Sequence, residues 1–322
     1  MKPNLLTCCP YTLKPISELE EKSREHVILD ALGGPDGYTV TACRTVNSKL
    51  GETVDAAFLT EPMVELARSK AGVKSRSGVA SWNLHGETVE GKRPVDLTFP
   101  HEGPIDVYHR KPVERGEDGN SFKIIAPPDQ ADRLLKEIEA NLNKKGREIA
   151  RLENNQSPNQ EIHIQMTVNM TVMRTGLMKI AYLACCEFFG DDFLDDPLNT
   201  EWQKAIRAQT GEESDNIRIH GQCFDGATIG ANMVFPSLAK HEHGIAIANL
   251  NQRGPVVAVR LFGNELLTAF ALASETNDYG LAEGDGLLLI CDSKTGAISR
   301  EPWSNHLLRM SGLTPPSPSI QS

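Results

Sequence analysis

Two stretches near the amino terminus decide the expected fold: REHVILDALGG at residues 24–34 and CRTVNSKLG at residues 43–51. The first puts a carboxylate beside an imidazole and ends in a glycine pair. Residues 38–43 are rich in β-formers and follow a Gly-Pro-Asp-Gly turn cluster, which predicts a short strand. Beyond Asn47, apolar residues recur at helical spacing at Leu50, Val54, Ala57 and Phe58, so a helix is expected to begin there and pack on the preceding strands.

Three side chains in these stretches have the chemistry of a one-metal site that cleaves phosphodiesters. Histidine is the usual side chain for a general base that takes a proton from water, and His26 is the candidate for this role. Glu25 and Asn47 offer a carboxylate and an amide oxygen, which suit a hard cation that keeps several waters and neutralises developing charge. Neighbours on a strand point to opposite faces, so Glu25 and His26 would need a bend to share one site. Asn47 could instead be an ordinary helix N-cap.

These residues resemble the HNH, or ββα-metal, endonuclease family, whose motif runs from an acid-His-Val/Ile stretch to a Cys-x-x-Cys-Asn stretch. The similarity covers about residues 8–78. The resemblance implies that His26 is the general base and that Glu25 and Asn47 hold one Mg²⁺ or Mn²⁺ ion. It also implies DNA as the substrate, with RNA not excluded, and a role in defence against foreign DNA or in mobile-element biology. The basic side chains around the motif are candidate phosphate contacts, namely Arg24, Arg44 and Lys49.

Two features of the family motif are missing from this chain. Relatives frame the site with a zinc ribbon of two Cys-x-x-Cys pairs, whereas in this chain Cys9 and Cys43 each lack the second cysteine. Two thiolates do not close a four-ligand zinc site, so no structural zinc is expected, and both cysteines should pack as small apolar residues. The middle asparagine of the motif, expected at residues 38–39, is replaced by tyrosine and threonine.

The sequence as a whole predicts an α+β protein in which an N-terminal ββα-metal (HNH) module precedes a mixed helix and antiparallel-sheet domain. The helix from Pro128 to about residue 152 and the core helix over residues 176–190 are its clearest helical signals. The predicted division is a nuclease-like module at 1–78, an irregular and helical connecting region at 79–160, an α+β domain at 161–312 and a disordered tail at 313–322.

Charge and composition limit the partners. The net charge is −10, but residues 1–80 hold ten basic and ten acidic residues, so the deficit lies in residues 81–322, with 23 basic and 33 acidic. This balance disfavours nucleic acid as a partner of the acidic part, for which a homo-oligomer or a protein partner is expected instead. No apolar run approaches the ~20 residues of a membrane span, so no membrane partner is expected. The absence of a signal-like start and of a cysteine framework predicts a cytoplasmic location.

Two other interpretations of the sequence remain open. The protein could be a non-catalytic nucleic-acid-binding or scaffold protein with a decayed HNH module, or a protein-interaction module without DNA affinity. A separate candidate lies at residues 241–243, where His241 and His243 would share one face of a strand, as metal ligands can, although no third ligand is evident.

Overall fold

The structure, a computed structural model, groups the chain into two compact units. One unit combines residues 1–80 and 168–322, and the other comprises residues 81–167. This grouping differs from the domain division predicted from the sequence, because the amino-terminal residues share one hydrophobic core with the carboxy-terminal part. The described residues are 5–75, 78–79, 81–117, 121–145, 150, 161–215, 221–223, 234–235, 238–250 and 254–314. The predicted boundary at 154–160 and most of the predicted tail lie outside them.

Both units mix helices with short strands. The first unit begins with β1 Lys22–His26, β2 Thr39–Cys43, α1 Arg44–Leu50, α2 Ala56–Leu59, α3 Pro62–Ala71, β3 Lys74–Ser75 and β4 Gly78–Val79. A π-helical turn, Gly51–Asp55, joins α1 to α2. The second unit contains β5 Trp82–Thr88, β6 Pro94–Phe99, β7 Asp106–His109, β8 Val113–Arg115, β9 Phe122–Ile124, α4 Pro128–Asn143 and β10 Ile162–His163. The first unit resumes with α5 Met170–Phe189, α6 Asp191–Leu194, α7 Asn199–Ala205, α8 Gly211–Asp215, β11 Gly221–Cys223, β12 Glu242–Asn249, β13 Pro255–Arg260, β14 Thr268–Leu272, β15 Gly286–Asp292, β16 Ile298–Pro302 and α9 Trp303–Met310.

The amino-terminal hairpin follows the expected order of strand, turn, strand and helix. Strands β1 and β2 pair antiparallel, with Glu25 opposite Val40 and His26 opposite Thr39. Helix α1 follows β2 directly, and extended Cys43 occupies its N-cap position. The expected helix start at Asn47 is therefore three residues late, and the N-cap interpretation of Asn47 is wrong. The first turn carries polar and β-branched residues, so the apolar periodicity did not show it.

Helix α5 forms the centre of the first unit, and most of its side chains are buried. Its predicted end at Gly190 is confirmed, but it begins six residues before the predicted start at Gly176. The Asn169 side chain caps the amino end by accepting hydrogen bonds from the backbone N–H groups of Thr171 and Val172, at 3.1 and 3.2 Å. Polar residues in the first two turns concealed this start in the hydropathy pattern.

The cap gives a first testable prediction. Asn169→Ala should lower the free energy of unfolding by about 1 kcal/mol, because two N–H groups at the start of α5 lose their acceptor. Asn169→Ser is the matched control, since its hydroxyl keeps an acceptor and should retain most of the stability. Urea unfolding of the three proteins measures the difference. Equal losses in the two variants would show that the cap itself contributes nothing.

A six-stranded antiparallel sheet packs beside α5, in the strand order β11-β14-β13-β12-β15-β16. Its side chains alternate between two apolar clusters, as a pleated sheet requires. Ile245 and Val257 belong to the cluster that contains α5, whereas Ala246 and Ala258 face the cluster that contains Trp303 of α9. The antiparallel sheet expected for the carboxy-terminal part is thus confirmed, with a helix against each face.

The second unit is built on a four-stranded antiparallel sheet with the order β10-β5-β6-β7. Strands β8 and β9 form a separate hairpin. Helix α4 begins at Pro128 as the sequence predicts, but it ends at Asn143, before the predicted end near residue 152. Trp82, Val95 and Leu97 are its buried apolar residues among those described. Across the described parts of both units, no helix combines the length and apolar character needed to cross a membrane.

Candidate functional site

The pleat of β1 separates the residues predicted to form one site. Ser23 and Glu25 lie two positions apart and share one face, while Arg24 and His26 share the other. Asn47 in α1 donates a hydrogen bond from Nδ2 to Ser23 Oγ, at 3.0 Å. Asn47 therefore lies on the Glu25 face of the strand. The structure brings Glu25 and Asn47 to the same side of the hairpin and leaves His26 on the opposite side.

Glu25 is buried among polar groups that were not predicted as site residues. Its carboxylate is 6% exposed, and Oε1 accepts a hydrogen bond from the Tyr11 hydroxyl at 3.0 Å. The same oxygen lies 2.7 Å from Nζ of Lys179 in α5. Lys179 Nζ also donates to both carboxylate oxygens of Asp55, at 2.8 and 2.6 Å. We refer to Tyr11, Glu25, Asp55 and Lys179 as the Lys179 cluster.

Burial and charge change the acidity of two members of the Lys179 cluster. Burial raises the pKa of Asp55, the Lys179 ammonium opposes that change, and the Glu25 charge adds to it. Burial also holds the pKa of Tyr11 well above its usual value, with the negative charge of Glu25 as the next cause. Tyr11 therefore remains a hydrogen-bond donor to Glu25 over the physiological range. Asp55 takes up a proton at a higher pH than an ordinary aspartate.

His26 lies on the outer face of the hairpin with no group to orient its ring through Nε2. Its side chain is 27% exposed, yet Nε2 is shielded from solvent and makes no hydrogen bond with any residue that the structure describes. The nearest carboxylate oxygen, Asp36 Oδ1, lies 3.8 Å away, beyond hydrogen-bond distance. Arg24 shares this face, where its guanidinium donates to Thr39 Oγ1 at 3.4 Å and to the Asp36 carbonyl.

The three predicted phosphate contacts are all exposed, but they are not equivalent. Arg24 is held against its own hairpin by the two hydrogen bonds just described. Arg44 Nε lies 4.0 Å from Glu21, and both side chains are 65% exposed, so this pair is weak. Lys49, in the last turn of α1, has no carboxylate within salt-bridge distance among the residues described. Arg44 and Lys49 are thus the freer cations beside the hairpin.

The arrangement around Glu25 does not fit a hydrated Mg²⁺ ion. Magnesium requires oxygen ligands at 2.0–2.1 Å and retains several waters, whereas Glu25 is enclosed and paired with an ammonium. Asn47 directs its amide nitrogen to Ser23. Within the described ranges, no group of three or more His, Cys, Asp or Glu side chains is placed to hold a metal. The predicted metal roles of Glu25 and Asn47 gain no support from this geometry, and we derive no chemistry from a metal at this site.

Cys9, which was expected to pack as an apolar residue, and His243, one of the two histidines of the separate metal candidate, are both packed in the core. Cys9 is buried, and its Sγ accepts a hydrogen bond from the Cys43 backbone at 3.2 Å. His243 is buried with both ring nitrogens in use, since Nε2 lies 2.9 Å from the Leu32 carbonyl and Nδ1 accepts from Phe262 N–H at 3.2 Å. A metal role for His243 is therefore wrong. Burial lowers the pKa of His243 to about 4, so it stays neutral near pH 7.

Lys179, Asp55 and Tyr11 were not predicted from the sequence. One signal was present, because Lys179 is the only basic residue between Gly176 and Gly190, a stretch expected to be a buried helix. A buried ammonium needs carboxylate partners, since an isolated charge is costly to remove from water. The pattern therefore predicts acidic partners elsewhere in the chain. It does not say which acids they are.

Comparison with known proteins adds no family to this description. No protein-family model matches the chain, and neither the curated proteins nor the solved structures give a match.

Proposed function

We propose that this protein binds nucleic acid through its amino-terminal hairpin and α1, and that it does not cleave through His26, Glu25 and Asn47. The separation of these residues by β1 carries the second part of the proposal, that these residues do not cleave, whereas the exposed basic side chains described below support the first. One-metal hydrolysis needs the base and the ligands to converge on one phosphate, with reacting atoms about 3–3.5 Å apart. In this structure Glu25 is buried against Lys179, while His26 lies on the opposite face of the strand.

Nucleic acid is supported as the ligand by three exposed basic side chains at the hairpin and α1 and by the resemblance of the motif to HNH proteins. Residues 1–80 carry balanced charge within a chain of net charge −10. Arg24, Arg44 and Lys49 are exposed around the hairpin and α1. Arginine and lysine on a surface contact phosphates and release condensed counterions, which makes such binding sensitive to salt. The proposed interface is this basic edge of the hairpin and α1.

The interface is tested by fluorescence anisotropy with a labelled DNA duplex and single strand at low salt. Arg44→Gln combined with Lys49→Gln should weaken binding and reduce the slope of log K against log salt by about 0.9 for each lost phosphate contact on duplex DNA. Lys204→Gln is the control, because Lys204 lies in α7 and pairs with Glu201. Undetectable binding at low salt would overturn the proposal and favour a protein partner or self-association of the acidic part.

A metal-dependent HNH endonuclease is the second candidate, and two observations favour it. Asn47 lies on the Glu25 face of β1 as that function requires, and within the described ranges Nε2 of His26 is not engaged in a hydrogen bond. In this function His26 acts as the general base and Glu25 and Asn47 hold Mg²⁺ or Mn²⁺, which requires Glu25 to leave Lys179. DNA, with RNA not excluded, is the substrate.

Incubation of supercoiled DNA with either ion separates the two candidates. Our proposal expects binding without nicking in Mg²⁺ and in Mn²⁺. Nicking that falls about 10²–10⁴-fold in His26→Ala would establish the endonuclease instead. His85→Ala serves as the control, since His85 is an exposed histidine of the second unit paired with Asp96. Equal nicking by both variants would exclude His26 as the base.

A further inference from the structure

Lys179 is an ammonium enclosed at the middle of a core helix. Its side chain is 1% exposed, and no other lysine is buried among the residues that the structure describes. An ammonium has three N–H donors and no acceptor. Three oxygens surround it at hydrogen-bond distance, one from Glu25 and two from Asp55. The donors and the acceptors are thus matched in number, which is the condition under which a buried charge is tolerated.

The Lys179 cluster joins three separate segments of the first unit. Lys179 belongs to α5, Glu25 to β1 and Asp55 to the π-helical turn after α1. Lys179 and Asp55 are 124 positions apart in the chain. The ammonium therefore links both β1 and the π-helical turn to the core helix α5. Two carboxylates around a single ammonium leave one excess negative charge when both acids are ionised.

The position of Nζ is the one that a cation shared by Glu25 and Asp55 would occupy. Nζ contacts Oε1 of Glu25 and both carboxylate oxygens of Asp55. A divalent ion that bound these oxygens would lie next to the ammonium and would be repelled by it.

We propose that Lys179 is the permanent cation of this site and takes the place of a divalent metal between Glu25 and Asp55. The hairpin, α1 and α5 are then held together without any metal ion. This inference concerns how the site is assembled and is independent of nucleic-acid binding, so its tests use stability and metal binding as readouts. A failure to bind DNA would leave it unaffected.

The wild-type protein tests the proposal directly. The melting temperature should be the same in EDTA, in millimolar Mg²⁺ and in millimolar Mn²⁺, because a ligand that binds the folded state would raise it. Electron paramagnetic resonance of Mn²⁺ mixed with the protein should show free ion only. A melting temperature that rises with Mn²⁺ in wild type and not in Glu25→Gln would overturn the proposal.

A lysine variant gives the second test. Lys179→Met keeps a similar volume but removes the charge, and leaves two buried acids facing each other without compensation. Its melting temperature should fall by roughly 6–20 °C. Lys204→Met is the matched control, since Lys204 Nζ also lies 2.7 Å from a carboxylate oxygen but its side chain is 59% exposed. The melting temperature of this variant should stay within about 2 °C of wild type.

A triple variant keeps the test decisive if Lys179→Met does not fold. Lys179→Met with Glu25→Gln and Asp55→Asn removes all three charges, and it should be recovered as folded protein more readily than the single variant, because no unpaired charge is buried. A single variant as stable as wild type would overturn the proposal. A triple variant that is less stable than the single one would do the same.

Discussion

Gly176→Ala is expected to lower the free energy of unfolding by about 3 kcal/mol, although alanine is normally the better helix former. Gly176 lies in α5 directly against Phe58 of α2. A β-carbon at this position would stand 2.3 Å from Phe58 Cγ and 2.5 Å from Cδ2. The ring is fully buried, so it cannot swing into solvent to make room. The added methyl group therefore has to displace α2 or α5.

Gly51→Ala is the matched control for this prediction. Gly51 is also helical, with φ −56° and ψ −43°, and a β-carbon there meets nothing within 4 Å. Alanine should stabilise the protein by up to about 1 kcal/mol, because it reduces the freedom of the unfolded chain. Denaturant unfolding measures both variants. Combining Gly176→Ala with Phe58→Leu should recover part of the loss; no recovery would show that the clash with Phe58 is not its cause.

Lowering the pH from about 6.5 to about 4 is expected to remove about 3 kcal/mol of stability through His243 alone. Burial lowers the pKa of this histidine to about 4 in the folded protein, while an unfolded histidine has a pKa near 6.5. Between these values the unfolded chain binds more protons than the folded chain, so stability rises with pH across the window. Above about pH 6.5 His243 is neutral in both states and costs no stability. Each unit of difference between its folded and unfolded pKa corresponds to about 1.4 kcal/mol of unfolding free energy.

The histidine effect is isolated by comparing wild type with His243→Gln over this pH range. The variant should be less stable at pH 7, because the Leu32 carbonyl and the Phe262 N–H depend on the imidazole. Its stability should fall less steeply with decreasing pH, since the titrating group is gone. Parallel curves for wild type and His243→Gln would contradict the assignment.

Local patterns of the sequence predicted much of the fold. The β-rich residues 38–43 form β2, and the antiparallel sheet expected for the carboxy-terminal domain is present. Periodicity and side-chain propensity act over a few residues, so they are visible in a single sequence. The first residues of helices were predicted less accurately, since α1 and α5 both begin before their predicted start. Their first turns contain polar residues that contribute nothing to an apolar stripe.

The candidate site depended on contacts that local patterns do not contain. The sequence interpretation grouped Glu25 with its neighbour His26. In the structure Glu25 instead pairs with Lys179, which is far away in the sequence. The alternation of β1 was foreseen as an obstacle, and the structure shows no bend that removes it. A lysine in an apolar helix signals that carboxylates are needed, but the choice of Glu25 and Asp55 follows from packing of the whole unit. The sequence therefore identified the candidate residues of the hairpin, but it did not predict the contacts that these residues make with other parts of the chain.

The shared core of the first unit has a consequence for the order of events during synthesis. The hairpin and α1 leave the ribosome first, but Lys179 and the large sheet follow only after roughly five to fifty seconds at ordinary elongation rates. Until then Glu25, Asp55 and Leu32 lack the partners they have in the finished protein. We expect the hairpin and α1 to stay open to proteases until α5 and the large sheet have been made, although they precede both in the sequence.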